Sequence, residues 1–163
     1  MINIVLIEPE IPQNAGNIVR TCAATNSKLY MVRPLGFELS DKYYKRAGLD
    51  YFDLSQVEVV DSFEEIFEKN KDKQFFFAST KSQKTYAEVE YPEDCFIVFG
   101  KESFGIRESL LKEHYKDCIR IPMHEDARSL NLANSVAIII YEALRQNNFS
   151  HLKDYGSLTG RED

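Results

Sequence analysis

The sequence predicts an α/β domain built on a mainly parallel sheet. Short apolar runs of strand length alternate with segments that repeat their apolar residues at helical spacing, which is the order of βαβ units. The runs are apolar at consecutive positions, as in parallel strands that helices cover on both faces. The chain has 163 residues, the length of one domain, and its 44% hydrophobic and 28% charged residues exclude disordered and fibrous classes.

Five apolar or β-branched runs are predicted as strands. Uninterrupted runs such as NIVLI and FIVF fit buried parallel strands better than strands of a half-exposed sheet. The predicted strands are Asn3–Ile7, Leu29–Val32, Phe75–Ala78, Phe96–Phe99 and Ile119–Ile121.

Four segments between and after these strands are predicted as helices. In the first, Ile18, Cys22 and Thr25 share one side. The second opens with a capping box, in which Ser62 accepts a hydrogen bond from the backbone and Glu65 reaches back. The predicted helices are Ala15–Thr25, Ser62–Lys69, Ile106–Tyr115 and Leu132–Gln146.

The last of these helices is the most apolar. Its apolar face consists of two neighbouring stripes, and a face this wide indicates burial on two sides. A second subunit or the core of a monomer would each provide that burial, and the sequence leaves both open. The segment after Asn147 is polar and is expected to fray, which predicts a domain over 1–147 and a tail over 148–163. The stripes are Leu132, Val136, Ile139 and Ala143, and Ala133, Ala137, Ile140 and Leu144.

Charge and residue counts exclude several functional classes. The net charge of −6 and the pI of about 5.2 disfavour a general nucleic-acid binder, although they are compatible with a local basic patch. The three cysteines contain no CxxC pair and the three histidines form no ligand cluster, so buried free thiols and no metal site are expected. No run has the length of a membrane helix, and Met1–Ile7 lacks the basic start of a signal peptide, which favours a soluble cytoplasmic protein.

The common nucleotide-binding and hydrolase motifs are absent from the sequence. No GxGxxG, GxxxxGK[ST] or GxSxG occurs. Three other segments, 8–20, 99–105 and 121–135, concentrate glycine, asparagine and arginine beside predicted strand ends, where open α/β sheets bind ligands.

The first segment leaves a strand through two prolines and enters a helix near Asn14. The helix start and the amides of Asn14 and Asn17 could hold a phosphate or a ribose, and Arg20 lies one turn further on. A helix-capping asparagine and a solvated arginine explain the same residues without any ligand.

The second and third segments also have two interpretations each. Gly100 and Gly105 permit a close approach of the backbone to a ligand or a tight chain crossing, with the ionisable Glu102 between them. A turn with an acidic helix start is the structural alternative. In the third segment, Ser129 and Asn131 precede a helix, either as its N-cap or within a loop whose amides hold a small ligand.

Together and in this order, the three segments resemble the motifs of the SPOUT class of RNA 2'-O-methyltransferases. The quoted motifs are Asn14-x-Gly16-Asn17-x-x-Arg20, Phe99-Gly100-x-Glu102-x-x-Gly105, and Ile121-Pro122-Met123 followed by RSLNLAN. The resemblance runs from Met1 to about Gln146. The start EPEIPQNAGNIVR and the stretch RAGLDY narrow it to minimal members that methylate the tRNA wobble nucleotide without an added RNA-binding domain.

The resemblance implies a trefoil knot formed by the C-terminal segment, with S-adenosylmethionine bound in it and S-adenosylhomocysteine as the product. It also implies a homodimer that pairs through helices including the last one, with Tyr141 facing the partner's site. The cofactor contacts that it implies are Ala78, Thr80, Gly100, Gly105, Ile121, Met123, Ser129 and Leu130.

The implied reaction is 2'-O-methylation of the ribose at position 34 of tRNA, on cytidine or a modified uridine of leucine tRNAs. The cofactor methyl is already activated, so the enzyme must place the hydroxyl in line with it and assist loss of a proton. Because a guanidinium stays protonated, Arg20 is expected to orient the RNA phosphate and stabilise the developing alkoxide, while Glu102 is the nearest carboxylate for proton removal. Asn14, Asn17, Ser129 and Asn131 are expected to fix hydroxyl and cofactor geometry, and Lys42, Arg46 and Arg128 to contact RNA.

Three alternatives stay open at this stage. A related 2'-O-methyltransferase could act on another tRNA position or on ribosomal RNA. A knotted protein could bind RNA without catalysis, and an α/β module could hold an unrelated ligand.

Overall fold

A six-stranded parallel sheet organises the part of the chain that the computed structural model describes, residues 1–40 and 56–159. The strands lie in the order β3-β2-β1-β5-β4-β6, and all their pairings are parallel. The prediction of an α/β fold with a parallel sheet is confirmed, whereas the knot stays a prediction. The strands are β1 (Ile2–Ile7), β2 (Lys28–Val32), β3 (Val57–Val60), β4 (Gln74–Ala78), β5 (Cys95–Phe99) and β6 (Cys118–Ile119).

Helices cover both faces of this sheet. They are α1 (Pro12–Thr25), α2 (Phe63–Lys69), α3 (Glu108–Glu113) and α4 (Leu132–Gln146), with a 3₁₀ turn at Tyr115–Asp117. On one face, Ile4 and Leu6 of β1 pack in one core with Ile18 of α1 and Ile139 of α4. On the other face, Val5 packs in a second core with residues of α2 and α3. Neighbouring residues of β1 therefore enter different dry cores, which explains its uninterrupted apolar run.

The edge strand β3 is missing from the sequence prediction. Its sequence, VEVV, is interrupted by a charged residue, and among the described residues the strand pairs with β2 alone. Lys28 of β2 donates a hydrogen bond to Glu58 at 2.7 Å. The Glu58 carboxylate of this half-buried strand therefore has a partner on the neighbouring strand β2. A search for continuous apolar runs does not detect β3, because Glu58 interrupts the run.

Three predicted boundaries are wrong by a few residues. Helix α1 begins at Pro12 instead of Ala15, because proline fits the first helical turn, where its missing N–H has no partner to lose. Strand β6 ends at Ile119, since the next residue, Arg120, exchanges backbone hydrogen bonds with the segment 84–86 instead of β4. Helix α3 starts only at Glu108, after a buried Ile106 that packs as a core residue before the helix.

Most of the apolar face of α4 is buried within the chain itself. Val136, Ile139 and Ile140 are at most 1% exposed, whereas Ile138 and Tyr141 are 36% and 47% exposed. The core of one chain therefore accounts for most of the width of this face, and a narrow apolar strip stays open.

The residues after α4 turn back onto the fold. The Phe149 N–H donates to the Leu144 carbonyl at 2.8 Å, and Leu152 packs against the core on the α1–α4 face. Across 1–40 and 56–159, no helix combines the length and apolar character needed to cross a membrane.

The strand order brings the loops of the three motifs together. The chain fills the β1–β2–β3 side first and then crosses to β4, with β5 inserted between β1 and β4. The carboxyl ends of β1 and β5 therefore border the point where the strand order reverses, which is where open α/β sheets bind ligands. Strands β1, β5 and β6 lead into segments 8–20, 99–105 and 121–135 respectively.

Candidate active site

A pocket of 670 Å³ opens at the carboxyl ends of β4, β5 and β6. Small-molecule sites usually occupy about 300–1,000 Å³. Its wall combines strand ends, the loop after β5 and the start of α4. The lining includes every residue for which the sequence predicts a cofactor contact, namely Ala78, Thr80, Gly100, Gly105, Ile121, Met123, Ser129 and Leu130.

Gly100 is required by a close crossing of the chain over itself. A Cβ at this position would lie 2.0 Å from the carbonyl carbon of Gly105 and 2.1 Å from the nitrogen of Ile106. Gly105 has φ of +69°, a left-handed conformation that side chains other than glycine rarely adopt. The two glycines therefore make the compact loop that forms one wall of the pocket, which is the chain-crossing interpretation of this motif.

A series of hydrogen bonds joins the three motifs. Asn131 Nδ2 donates to Asn14 Oδ1 at 2.9 Å, and Asn14 Nδ2 donates to a Glu102 carboxylate oxygen at 3.1 Å. Asn131 also caps α4, because its Oδ1 accepts from the backbone N–H groups of Ala133 and Asn134 at 2.9 and 3.2 Å. One asparagine side chain thus caps a helix and connects two loops of the pocket.

Glu102 lies at the N-terminus of α1. Besides Asn14, its carboxylate accepts from the backbone N–H groups of Glu10 at 2.8 Å and Ile11 at 3.1 Å. These N–H groups lack partners within the helix, and a negative charge complements the helix dipole there. Because three donors already use this carboxylate, its geometry favours a positioning role over proton removal.

A reciprocal contact fixes the loop after β1 to the loop after β5. Ser103 donates its backbone N–H and its hydroxyl to the Glu10 carboxylate, both at 2.9 Å. The Ser103 N–H holds the pKa of Glu10 below its ordinary value. Lys101 pairs with Glu8 across the same junction.

The structure separates the predicted catalytic residues into two groups. Asn14, Glu102, Ser129 and Asn131 line the pocket. Asn17 and Arg20 are exposed on α1 and are not among the lining residues. Of the residues predicted to contact RNA, Arg128 lines the pocket, whereas Lys42 and Arg46 lie outside the described residues.

Sequence reasoning missed several residues that line the pocket. They come from the same strand ends and loops as the predicted ones, but the quoted motifs do not specify these positions, so the sequence carried no separate signal for them. Within 1–40 and 56–159, no group of three His, Cys, Asp or Glu side chains is arranged to hold a metal ion. The missed residues include Ile11, Ser79, Phe104 and Ile139.

The chain is similar over nearly its whole length to proteins that are named for one tRNA methyltransferase activity. The chain is 42% identical over 154 residues to the tRNA (cytidine(34)-2'-O)-methyltransferase of Methylovorus glucosotrophus, covering 92% of this chain and 98% of that protein. It is 49% identical over 155 residues to a Bacillus subtilis protein whose name assigns the same activity provisionally, covering 93% and 97%.

Solved structures share the fold over about nine-tenths of this chain. A structure described as addressing 2-OH methylation of C/U34 on tRNA aligns with a TM-score of 0.84 and 41% identity, covering 91% of this chain and 97% of that one. AviRb of Streptomyces viridochromogenes, solved with AdoMet, aligns with a TM-score of 0.76 and 20% identity over 90% of this chain and 57% of that one, and shows the fold alone. The model of the SpoU rRNA Methylase family matches residues 1–141, and the chain belongs to this family of methyltransferases.

Proposed function

We propose that this chain is a tRNA 2'-O-methyltransferase that uses S-adenosylmethionine to methylate the ribose of nucleotide 34, a cytidine or modified uridine. Relatives at 41–42% identity carry the name tRNA (cytidine(34)-2'-O)-methyltransferase and match this chain over nearly their whole length. The observation that carries the proposal is the meeting of all three motifs at one pocket, joined through Glu102, Asn14 and Asn131. Leucine tRNAs are the proposed substrates, and the cytoplasm is the proposed location.

The residues of the pocket fit this cofactor. Its volume suits a ligand of that size, and small residues such as Ala78, Gly100 and Ser129 leave room for a ligand against the strand ends. A related fold, AviRb, was solved with AdoMet, which supports the same cofactor here. When bound, the cofactor supplies an activated methyl group, and S-adenosylhomocysteine is the proposed product.

The protein side chains then have to position the RNA and handle one proton. Ala78, Gly100 and Ser129 would border the cofactor, which would supply an activated methyl group to the ribose 2'-oxygen, and the hydroxyl proton would pass to solvent water. Asn14, Asn131 and Glu102 hold the loops in the geometry that accepts the ribose. Arg20 lies on α1 outside the pocket lining, which favours contact with an RNA phosphate over direct contact with the reacting oxygen.

The first experiment is methyl transfer from S-adenosylmethionine to total tRNA, followed by nucleoside mass spectrometry and mapping. We expect a 2'-O-methyl group at nucleotide 34, strongly reduced in Arg20→Ala. Near-full activity of Arg20→Lys across pH would contradict a requirement for guanidinium geometry. A methyl group at another nucleotide, or on ribosomal RNA, would reassign the substrate.

Cofactor binding is measured separately by thermal unfolding with S-adenosylhomocysteine. A ligand present at about one hundred times its dissociation constant adds about 2.7 kcal/mol to the free energy of unfolding. A stabilised protein that methylates no RNA would favour a binding role without catalysis, and absence of stabilisation would favour an unrelated ligand.

A homodimer is part of the proposal. We expect pairing through the exposed strip of α4 that contains Ile138 and Tyr141. Pairing would bring two sets of basic residues to the RNA, although the net charge of the chain is negative. Sedimentation of Ile138→Asp should show a monomer where the unchanged protein is a dimer. A dimer that survives this change would place the interface elsewhere.

A further inference from the structure

An aromatic side chain stands exposed on the rim of the pocket. Phe104 is 84% exposed, compared with 42% for Ile11 and 40% for Leu130, the other exposed large hydrophobic residues of the lining. Phe104 also lines a second cavity of 270 Å³, which lies over the carboxyl ends of β1, β2 and β3. The ring therefore stands between two cavities on the side of the sheet where the ligand site opens.

The loop holds Phe104 in this outward position. Ser103, before it, donates two hydrogen bonds to Glu10, and Gly105, after it, donates its N–H to the Lys101 carbonyl at 2.9 Å. Ile106 beyond them is buried in the core. The ring cannot turn into the core while these anchors hold, so its exposure is built into the loop.

The second cavity offers little free positive charge beside the ring. Each of its three cations is paired with a carboxylate, so the feature that stands out on this rim is a flat apolar surface. An unpaired base of any identity can stack on an exposed aromatic ring, because every base has a π face. The pairs are Arg33 with Asp61, Arg107 with Glu64 and Lys101 with Glu8.

We infer that Phe104 is a stacking platform for an unpaired base of the RNA substrate, at or next to the methylated nucleotide. The inference rests on the proposed function, because the methylated ribose must reach the pocket that Phe104 borders. Nucleotide 34 belongs to the single-stranded anticodon loop, whose bases can leave their neighbours and stack on the protein.

The first test compares Phe104→Ala with the unchanged protein in steady-state methylation of tRNA. Loss of one stacking contact should lower kcat/KM for tRNA about 5- to 150-fold. The dissociation constant of S-adenosylhomocysteine should stay unchanged. Tyr155→Ala removes a similarly exposed ring, 77% exposed and outside both cavities, and should leave methylation intact.

The second test uses the absence of tryptophan from the chain. Phe104→Trp introduces a single reporter whose fluorescence should fall when tRNA binds, since a stacked base quenches the indole. Tyr155→Trp should keep its fluorescence. If the indole of Phe104→Trp is already shielded from solvent without RNA and its fluorescence does not change when tRNA is added, a protein partner covers this ring. That result would overturn the inference.

The outcomes separate this inference from the proposed function. An unchanged protein that methylates no tRNA refutes the proposed function. Normal methylation by the unchanged protein and by Phe104→Ala alike refutes the stacking role only. A raised dissociation constant for S-adenosylhomocysteine in Phe104→Ala, with unchanged KM for tRNA, would assign the ring to the cofactor instead.

Discussion

A methyl group added at Gly100 would overlap the backbone of Gly105 and Ile106, at 2.0–2.1 Å. At the scale of single residues, this is the sharpest steric constraint on the pocket wall. Because these neighbours are backbone atoms of the same short loop, no side chain can move aside to relieve the clash. The second motif therefore needs its first glycine for the loop to close.

We expect Gly100→Ala to lower the free energy of unfolding by about 1–3 kcal/mol or more, as overpacking does, and to weaken binding of S-adenosylhomocysteine. Urea unfolding and calorimetric titration measure the two effects. Gly156→Ala is the matched control, since a Cβ there meets no atom within 4 Å. Equal stability of both variants would contradict the crossing.

Glu102 is the second test at this scale, because proton removal and positioning predict different results for Glu102→Gln. In Glu102→Gln, the side-chain amide would meet N–H donors whose hydrogen bonds the carboxylate accepts in the unchanged protein. A positioning role therefore predicts a loss of about 1–3 kcal/mol of stability together with a loss of activity. A base would lose activity with stability unchanged. Urea unfolding at pH 7 beside single-turnover methylation separates the two roles.

At the scale of elements, two helices begin with a side-chain cap, and one of these caps also connects two motifs. Asn131 caps α4 and donates to Asn14 of α1, whereas Ser62 caps only α2, accepting from the Glu65 N–H at 3.3 Å. Both helices use a side-chain cap, but only the first cap also reaches a loop of the pocket.

We expect Asn131→Ala and Ser62→Ala to lose similar stability, about 0.5–2 kcal/mol each. Only Asn131→Ala should weaken binding of S-adenosylhomocysteine, because it alone disconnects the loops of the pocket. Unchanged affinity in Asn131→Ala would show that the capping bond is the only contribution of this side chain.

The bond between Glu10 and Ser103 predicts a dependence on pH. The pKa of the Glu10 carboxyl in the folded state is lowered from an ordinary value near 4.5. The stability that this hydrogen bond contributes is therefore present above about pH 4.5, and it is lost as the pH falls through the folded-state pKa. The urea midpoint of Glu10→Gln should therefore lie below that of the unchanged protein at pH 7. The difference should shrink at pH 3.5, and a constant difference would contradict the pKa shift.

At the scale of the whole molecule, the three cysteines report on global unfolding. Cys22 on α1, Cys95 on β5 and Cys118 on β6 are all buried, and burial raises the pKa of Cys22 and of Cys95 to about 12. Since the thiolate is the reactive form, these thiols should react with a disulfide reagent at pH 8 only when the fold opens.

We expect negligible reaction in the native protein and three equivalents in denaturant. The same pKa shift makes the folded state keep protons that the unfolded state releases, so stability should fall as the pH rises from about 9 towards 12. Saturation with S-adenosylhomocysteine should slow the reaction further. Rapid labelling of one thiol in the native state would indicate local opening.

The order of strands and helices could be predicted from sequence because continuous apolar runs and helical periodicity are local signals. The uninterrupted run of β1 and the three motifs at strand ends were sufficient for the fold class. The family resemblance supplied eight residues that all line the pocket, and their contact with the cofactor stays a prediction. Strand β3 could not be predicted in the same way, because Glu58 is satisfied only by Lys28 of a neighbouring strand.

Only the tertiary structure decided how the motif residues divide their work. Along the chain, both Glu102 and Arg20 are candidate catalytic groups, but the fold engages the Glu102 carboxylate at a helix start and places Arg20 outside the pocket lining. The second motif leaves the residue at position 104 unspecified, and only the anchors on both sides of Phe104 fix it outward. The sequence alone determined which motif residues follow the strand ends, because apolar runs and motif spacing are local signals. Only the packed tertiary structure determined which side-chain atoms already have hydrogen-bond partners and which face the pocket.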